Sequence, residues 1–297
     1  MRNQKSIDIL QSRITDEIYR AAGLSKAGLL RRLTGWMFYL PTRRFCRIFS
    51  RADDAVANGG LRAGCKCVID DFHLRVQARG IETIPTEGPL LIVSNHPGAY
   101  DSVCLAACQP RQDLKILVGD NPFFRSLMNS RRWFIYATRE TVVRMLAIRN
   151  AVEQLRQGGS LLLFGAGKIE PDPAYQPHAE QWLERWSSSL EVLLHKVPQT
   201  QLVQAVVSGI LLPKFARNPL IYLRQDEVDR RRIAEFVQVI QHMLIPSSVQ
   251  VNIRLTFAPP VSVEQLRDES EGRRLMPAIL NRQRKLLKEH ITEAVPS

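Results

Sequence analysis

With 297 residues, 45% of them hydrophobic and 24% charged, the chain can bury the core of one large domain or two modest ones, which excludes disorder as its main state. A formal charge of +12 and a pI near 9.9 point to an anionic partner: nucleic acid, an anionic membrane surface, or a phosphorylated or CoA-type substrate. No stretch reaches the roughly 18 apolar residues of a membrane-spanning helix, and the polar run Met1 to Leu10 does not read as a signal peptide.

In chain order, the first region to stand out is basic and aromatic. From Ile18 to Ala52 there is no acidic residue, while Arg20, Lys26, Arg31, Arg32, Arg43, Arg44, Arg47 and Arg51 are cationic. Trp36, Met37, Phe38, Tyr39, Leu40 and Phe45 interleave with them, the pattern of a helix that meets lipid phosphates with its cations and lies at headgroup depth with its rings. Helices packed on a main domain with a solvated arginine face fit the same residues. Pro41 predicts two short helices rather than one long one. Asp53 to Gly64, rich in Gly and Ala, reads as a linker. Residues 1–64 are thus expected to form a basic, membrane-surface helical segment and 65–297 the main domain.

After that boundary the pattern alternates. Strands are predicted at "FHLRVQARG", "PLLIVS", "LKILVG", "WFIYAT", "SLLLF", "QLVQAVVSG" and "VQVNIRLTFAPPV". Helices are predicted from Asp101 to Cys108, over "NPFFRSLMN", over "ETVVRMLAIRNAVEQLRQGG", over "DEVDRRRIAEFVQVIQHML" and over "RRLMPAILNRQRKLLKEHI" with a break at Pro277. Such alternation predicts an α/β domain with a mostly parallel mixed sheet flanked by helices, preceded by the N-terminal basic amphipathic segment.

Reactive groups in such sheets gather where strands end and helices begin. At the first junction, "SNHPGAYD", His96 and Asp101 supply an imidazole that can take a hydroxyl proton and a carboxylate that can hold the other ring nitrogen. Asp101 is equally suited to cap the following helix. No Gly-x-Ser-x-Gly elbow surrounds the serines of "ERWSSSLEV", and no P-loop or dinucleotide fingerprint occurs. His178, His195 and His242 lack metal-ligand spacing, and so do the five cysteines (Cys46, Cys65, Cys67, Cys104 and Cys108). The cysteines read as reduced, buried thiols, and no metal is expected.

"VQARGIETIPTEGPLLIVSNHPGAYDSV" resembles the first motif of the glycerolipid acyltransferases, the family of the lysophosphatidate acyltransferases, in which G-x-E-x-x-P and a buried strand lead into N-H-x-x-x-x-D. The resemblance is good over Arg75 to Val103 and continues in isolated blocks to about Gly209. It implies His96 as general base and Asp101 as its orienting partner, with no cofactor beyond acyl-CoA or acyl-carrier protein as donor substrate. In "WFIYATRE", Arg139 matches the arginine that helps hold the acceptor's phosphate. In "LLLFGAGKIEP", Phe164 and Gly167 match the family's F-P-E-G, but Gly165 replaces the proline and Ala166 the acid. Glu170 takes the acid's place if the loop turns it inward, and Lys168 offers charge for a phosphate. "LVQAVVSGI" stands where the fourth block belongs, without its prolines.

The resemblance implies transfer of a fatty-acyl group to a hydroxyl of a glycerol-phosphate or lysophospholipid acceptor. Expected partners are an acyl thioester and a phospholipid surface rather than nucleic acid, with a peripheral position at the cytoplasmic face of the membrane. The missing acid at position 166 keeps a second expectation open: a catalytically weakened lipid- or acyl-binding relative.

Overall fold

A computed structural model describes residues 2–21, 23, 28–138, 140–271 and 274–293. Seven strands form one sheet in the order β1-β7-β6-β2-β5-β3-β4. They are β1 (Arg75–Arg79), β2 (Leu90–Ser94), β3 (Lys115–Gly119), β4 (Phe134–Ala137), β5 (Ser160–Phe164), β6 (Gln201–Ser208) and β7 (Asn252–Phe257). β2 pairs in parallel with β5 and β6, and β3 in parallel with β5 and β4. β7 runs antiparallel to β6 and carries β1 in parallel beside it, so the β1–β7 pair opposes the other five strands. The expected α/β fold with a mostly parallel, mixed sheet is the one observed.

The central strands are buried throughout: β2 has no exposed position, and β6 only a partly exposed first residue. That is why both read as continuous apolar runs rather than alternating ones. Side chains alternate between the two faces. Leu90 and Ile92 of β2 join one core with Leu105 and Val68, while Leu91 and Val93 join another with Leu155 and Ile279. Helices α3 (Asp101–Cys108), α7 (Pro213–Ala216) and α8 (Glu227–Leu244) lie on the first face, and α5 (Thr141–Arg156), α6 (Ser189–Lys196), α9 (Val263–Glu269) and α10 (Leu275–Thr292) on the second.

The N-terminal region departs from expectation in two ways. α1 (Arg2–Ala21) is followed by α2 (Gly28–Asp71), which runs straight through Pro41. Side chains supply bonds around the proline: Thr42 Oγ1 donates to the carbonyl of Phe38, and Gln11 Nε2 of α1 to that of Tyr39. The break comes instead at Gly59 and Gly60, where φ of Gly60 reaches 72°, a value that favours glycine. Asp53 to Gly64 is therefore helical around a kink and not a linker. Ile48, Ala52, Leu61, Cys65 and Val68 of α2, and Phe72 just after it, all enter the sheet's main core, so residues on both sides of position 64 share one interior.

Near the other end, α10 continues through Pro277, which occupies its third position, where the helix has no N–H bond to lose. The predicted helix over "NPFFRSLMN" shrinks to α4 (Pro122–Arg125), capped by the Asn121 side chain. No helix of the described residues is long and apolar enough to cross a membrane.

Candidate active site

The carboxyl end of β2 lies between those of β5 and β6, with Ser94 level with Phe164 and Ala205. The chain leaves β2 through Asn95, whose side chain bonds both backbone groups of Val207: Nδ2 donates to its oxygen at 2.9 Å and Oδ1 accepts from its nitrogen at 2.8 Å. This clamp fixes the loop that carries His96.

His96 Nδ1 lies 2.7 Å from Asp101 Oδ2. An ionised carboxylate only accepts, so Nδ1 carries the hydrogen and Nε2 is left as the basic nitrogen. Asp101 is fully buried; its Oδ2 also accepts from Gly98 N at 3.1 Å and its Oδ1 from Ser102 N at 2.6 Å. One carboxylate thus holds the histidine, the turn and the first peptide of α3; the N-cap position is Tyr100, so the expected cap by Asp101 is not formed. The His96 ring stacks on Phe164, with centroids 4.3 Å apart, and its side chain keeps 27% of its surface open to solvent.

Glu170 is turned inward, with 2% of its surface exposed. Its N–H donates to the His96 carbonyl at 2.6 Å, and Trp186 Nε1 donates to its Oε2 at 3.3 Å. Its Oε1 is buried with no hydrogen-bond partner among the described residues. Burial pushes the carboxyl up to about 7, against the Trp186 bond and the charge of His96.

Trp186 also accounts for Gly165. A Cβ on that glycine would lie 2.0 Å from the indole ring, and its N–H donates to Ser94 O at 3.0 Å, a bond no proline can make. The family's proline therefore has no place at 165 while Trp186 covers the loop. Ala166 lies beside it, half-buried against the second core. Gly167 and Lys168 are exposed at the turn, Gly167 with φ of 59°. Arg139 lies outside the described residues.

Three residues around the His96 loop were not foreseen from the sequence: Asp172, Glu235 and Trp186. Asp172 is buried and accepts from the backbone nitrogens of Gly209, Ile210 and Leu211 at 3.0, 2.7 and 3.2 Å, tying the loop after β5 to the end of β6. Glu235 of α8 brings another carboxyl to the histidine loop. Its only trace in the sequence is an acid inside the run "IAEFVQV" of an amphipathic helix. Trp186 left no local signal at all.

The electrostatics of the site are collective. Burial works to lower the His96 pKa, but the charge and hydrogen bond of Asp101, then the charges of Glu235 and Glu170, outweigh it and carry the ring up to about 9. Among the described residues no set of His, Cys, Asp and Glu is arranged to hold a metal ion.

The family model for acyltransferases matches residues 75–196. Among solved structures, the 1-acyl-sn-glycerophosphate (LPA) acyltransferase PlsC from Thermotoga maritima is similar at 14% identity and a TM-score of 0.49, over 100% of this chain and 98% of that one. No protein of curated function matches the chain in sequence. The match opens at Arg75, where the resemblance in sequence begins, and takes in the His96–Asp101 pair. It is this part of the chain, residues 75–196, that is similar to the acyltransferase family.

Proposed function

We propose that this enzyme transfers a fatty-acyl group from acyl-CoA or acyl-carrier protein to a hydroxyl of a glycerol-phosphate or lysophospholipid acceptor, with His96 as general base. The observation that carries this reading is the 2.7 Å contact of His96 Nδ1 with Asp101, which leaves Nε2 as the proton acceptor in a half-open loop at the strand ends. Nε2 takes the acceptor's hydroxyl proton as its oxygen attacks the thioester carbonyl. The new C–O bond forms, the C–S bond breaks, and the departing thiolate takes the proton from Nε2. Asp101 holds the ring and stabilises the imidazolium between these steps.

An apolar cavity of about 70 Å³ supports a fatty donor or acceptor. It is lined by Phe49, Val56, Leu61, Val68, Val103 and Phe134, and Ser102, the residue after Asp101, also borders it. Lys168 and Arg139 are assigned to the acceptor's phosphate, as planar or point cations suit it. Glu170 is assigned the place of the family's acid: its buried carboxyl sits behind His96, where an acid at position 166 is absent.

The exposed Trp36, Met37, Tyr39 and Leu40 of α2, beside Arg43, support contact with an anionic membrane surface at the cytoplasmic face. The replacement of proline and acid by Gly165 and Ala166 favours a second reading, a lipid- or acyl-binding relative with weakened turnover. Incubating the purified protein with labelled acyl-CoA and a panel of lysolipids decides between them. A new diacyl product supports the enzyme; retention of acyl chain or lysolipid without any product supports the binding protein.

A further inference from the structure

α8 is anchored to the site at three points along one face. Tyr100 Oη lies 3.3 Å from His242 Nδ1, and Gln238 bonds the loop after β6 through Ile210 O at 2.7 Å and Leu212 N at 2.9 Å. Glu235 stands one turn before Gln238 on that face and meets the turn between His96 and Asp101. Its Oε1 lies 2.5 Å from the place a Cβ on Gly98 would take, so the glycine is what lets the carboxyl come so close. That oxygen is shut off from solvent and has no hydrogen-bond partner among the described residues, an arrangement that is costly for a carboxyl without a role. We propose that Glu235 is a positioning residue of the acid–base centre, a second carboxyl that steadies the Gly98–Ala99 turn and stabilises the imidazolium formed when His96 takes the acceptor's proton. This inference rests on the acyl-transfer reading for its chemistry but not for its geometry.

The charged groups around the pair come from every element packed against it. His96 faces Asp101 from α3, Glu170 from the loop after β5 and Glu235 from α8. Glu235 faces His96, Asp101 and, on its own helix, Arg232, while Tyr100 before α3 feels its charge. Burial pushes Glu235 up to about 8, and the charge of His96 opposes that rise. Each charged form therefore favours the other, and the two groups titrate as a coupled pair. Asp101 orients the ring through a direct bond, whereas Glu235 acts through charge and through the turn.

Glu235→Gln keeps the shape and an acceptor for the turn but removes the charge. The test is an NMR titration of the His96 ring in the full chain, with the pH profile of kcat/KM beside it. The inference expects the His96 midpoint to fall by about one pH unit in the variant. The acid limb of kcat/KM should move down with it, maximal kcat should fall about three- to tenfold, and KM for the acceptor should hold. Glu235→Asp, which keeps the charge, should restore part of the midpoint. A His96 midpoint and pH profile superimposable on wild type, with only the melting temperature changed, would overturn the inference and leave Glu235 a structural residue. A shifted midpoint in a protein that transfers no acyl group would uphold the pairing and refute the acyl-transfer reading instead.

Discussion

Glu170 is the residue we assign to the place of the acid missing at position 166. In Glu170→Gln the Trp186 bond and the shape persist while the charge behind His96 is removed. If the carboxyl does the work of the missing acid, kcat/KM falls about tenfold or more, equivalent to at least ~1.4 kcal/mol of transition-state stabilisation, as steady-state kinetics will measure. His96 and Asp101 were legible in the sequence because their partnership is local, five positions apart between a buried strand and a helix start. Glu170 was legible only as a position, since its direction depends on Trp186, sixteen residues on. Glu235 and Asp172 were not legible as site residues. Both act on backbone or charge brought from distant strands, and neither spacing nor composition encodes that approach.

Among the elements, α2 joins the N-terminal region to the turn that carries His96 and Asp101. Phe72, 1% exposed, meets Phe45, Tyr100 and His242 with centroids 6.1, 5.2 and 5.4 Å away. Phe72→Ala is expected to destabilise the fold by about 3–5 kcal/mol in urea unfolding, because the cavity opens between α2, the start of α3 and α8. The outer face of the same helix makes a separate prediction. Replacing Trp36 and Leu40 by Ser should leave stability nearly unchanged and weaken flotation with anionic vesicles at least about tenfold, since both side chains are exposed. The breaks expected at Pro41 and Pro277 failed for physical reasons: bonds from Gln11 and Thr42 around the first, and a first-turn position for the second. Local rules place a proline but not the neighbours that accommodate it.

Across the whole molecule, strands and helices were readable from hydrophobic runs, while the order of strands was not. The antiparallel join of β7 to β6 pairs Ser208 with Arg254, and the alternating burial along β7 carries no signal of its direction. Buried titrating groups also set the pH range of the fold. His242 and His290 are pulled down to about 4 by burial, so their contribution to stability is present above the ordinary 6.5 and is lost as pH falls through 4. Glu170 and Glu235 are held up to about 7 and about 8, so theirs is present below the ordinary 4.5 and is lost as pH rises through those values. His96, raised to about 9 from 6.5, adds to the alkaline loss. The melting temperature should therefore fall below about pH 4.5 and above about pH 6.5, with a plateau between, and Glu170→Gln should flatten the alkaline side in thermal scans.

The measurement that bears most directly on acyl transfer by the His96–Asp101 pair compares His96→Ala with wild type under saturating acyl-CoA and lysophospholipid, with thermal unfolding as the check on fold. A loss of turnover of about 10²- to 10⁴-fold in a variant that melts as a folded protein is the predicted result. Undiminished transfer by the folded variant would contradict it.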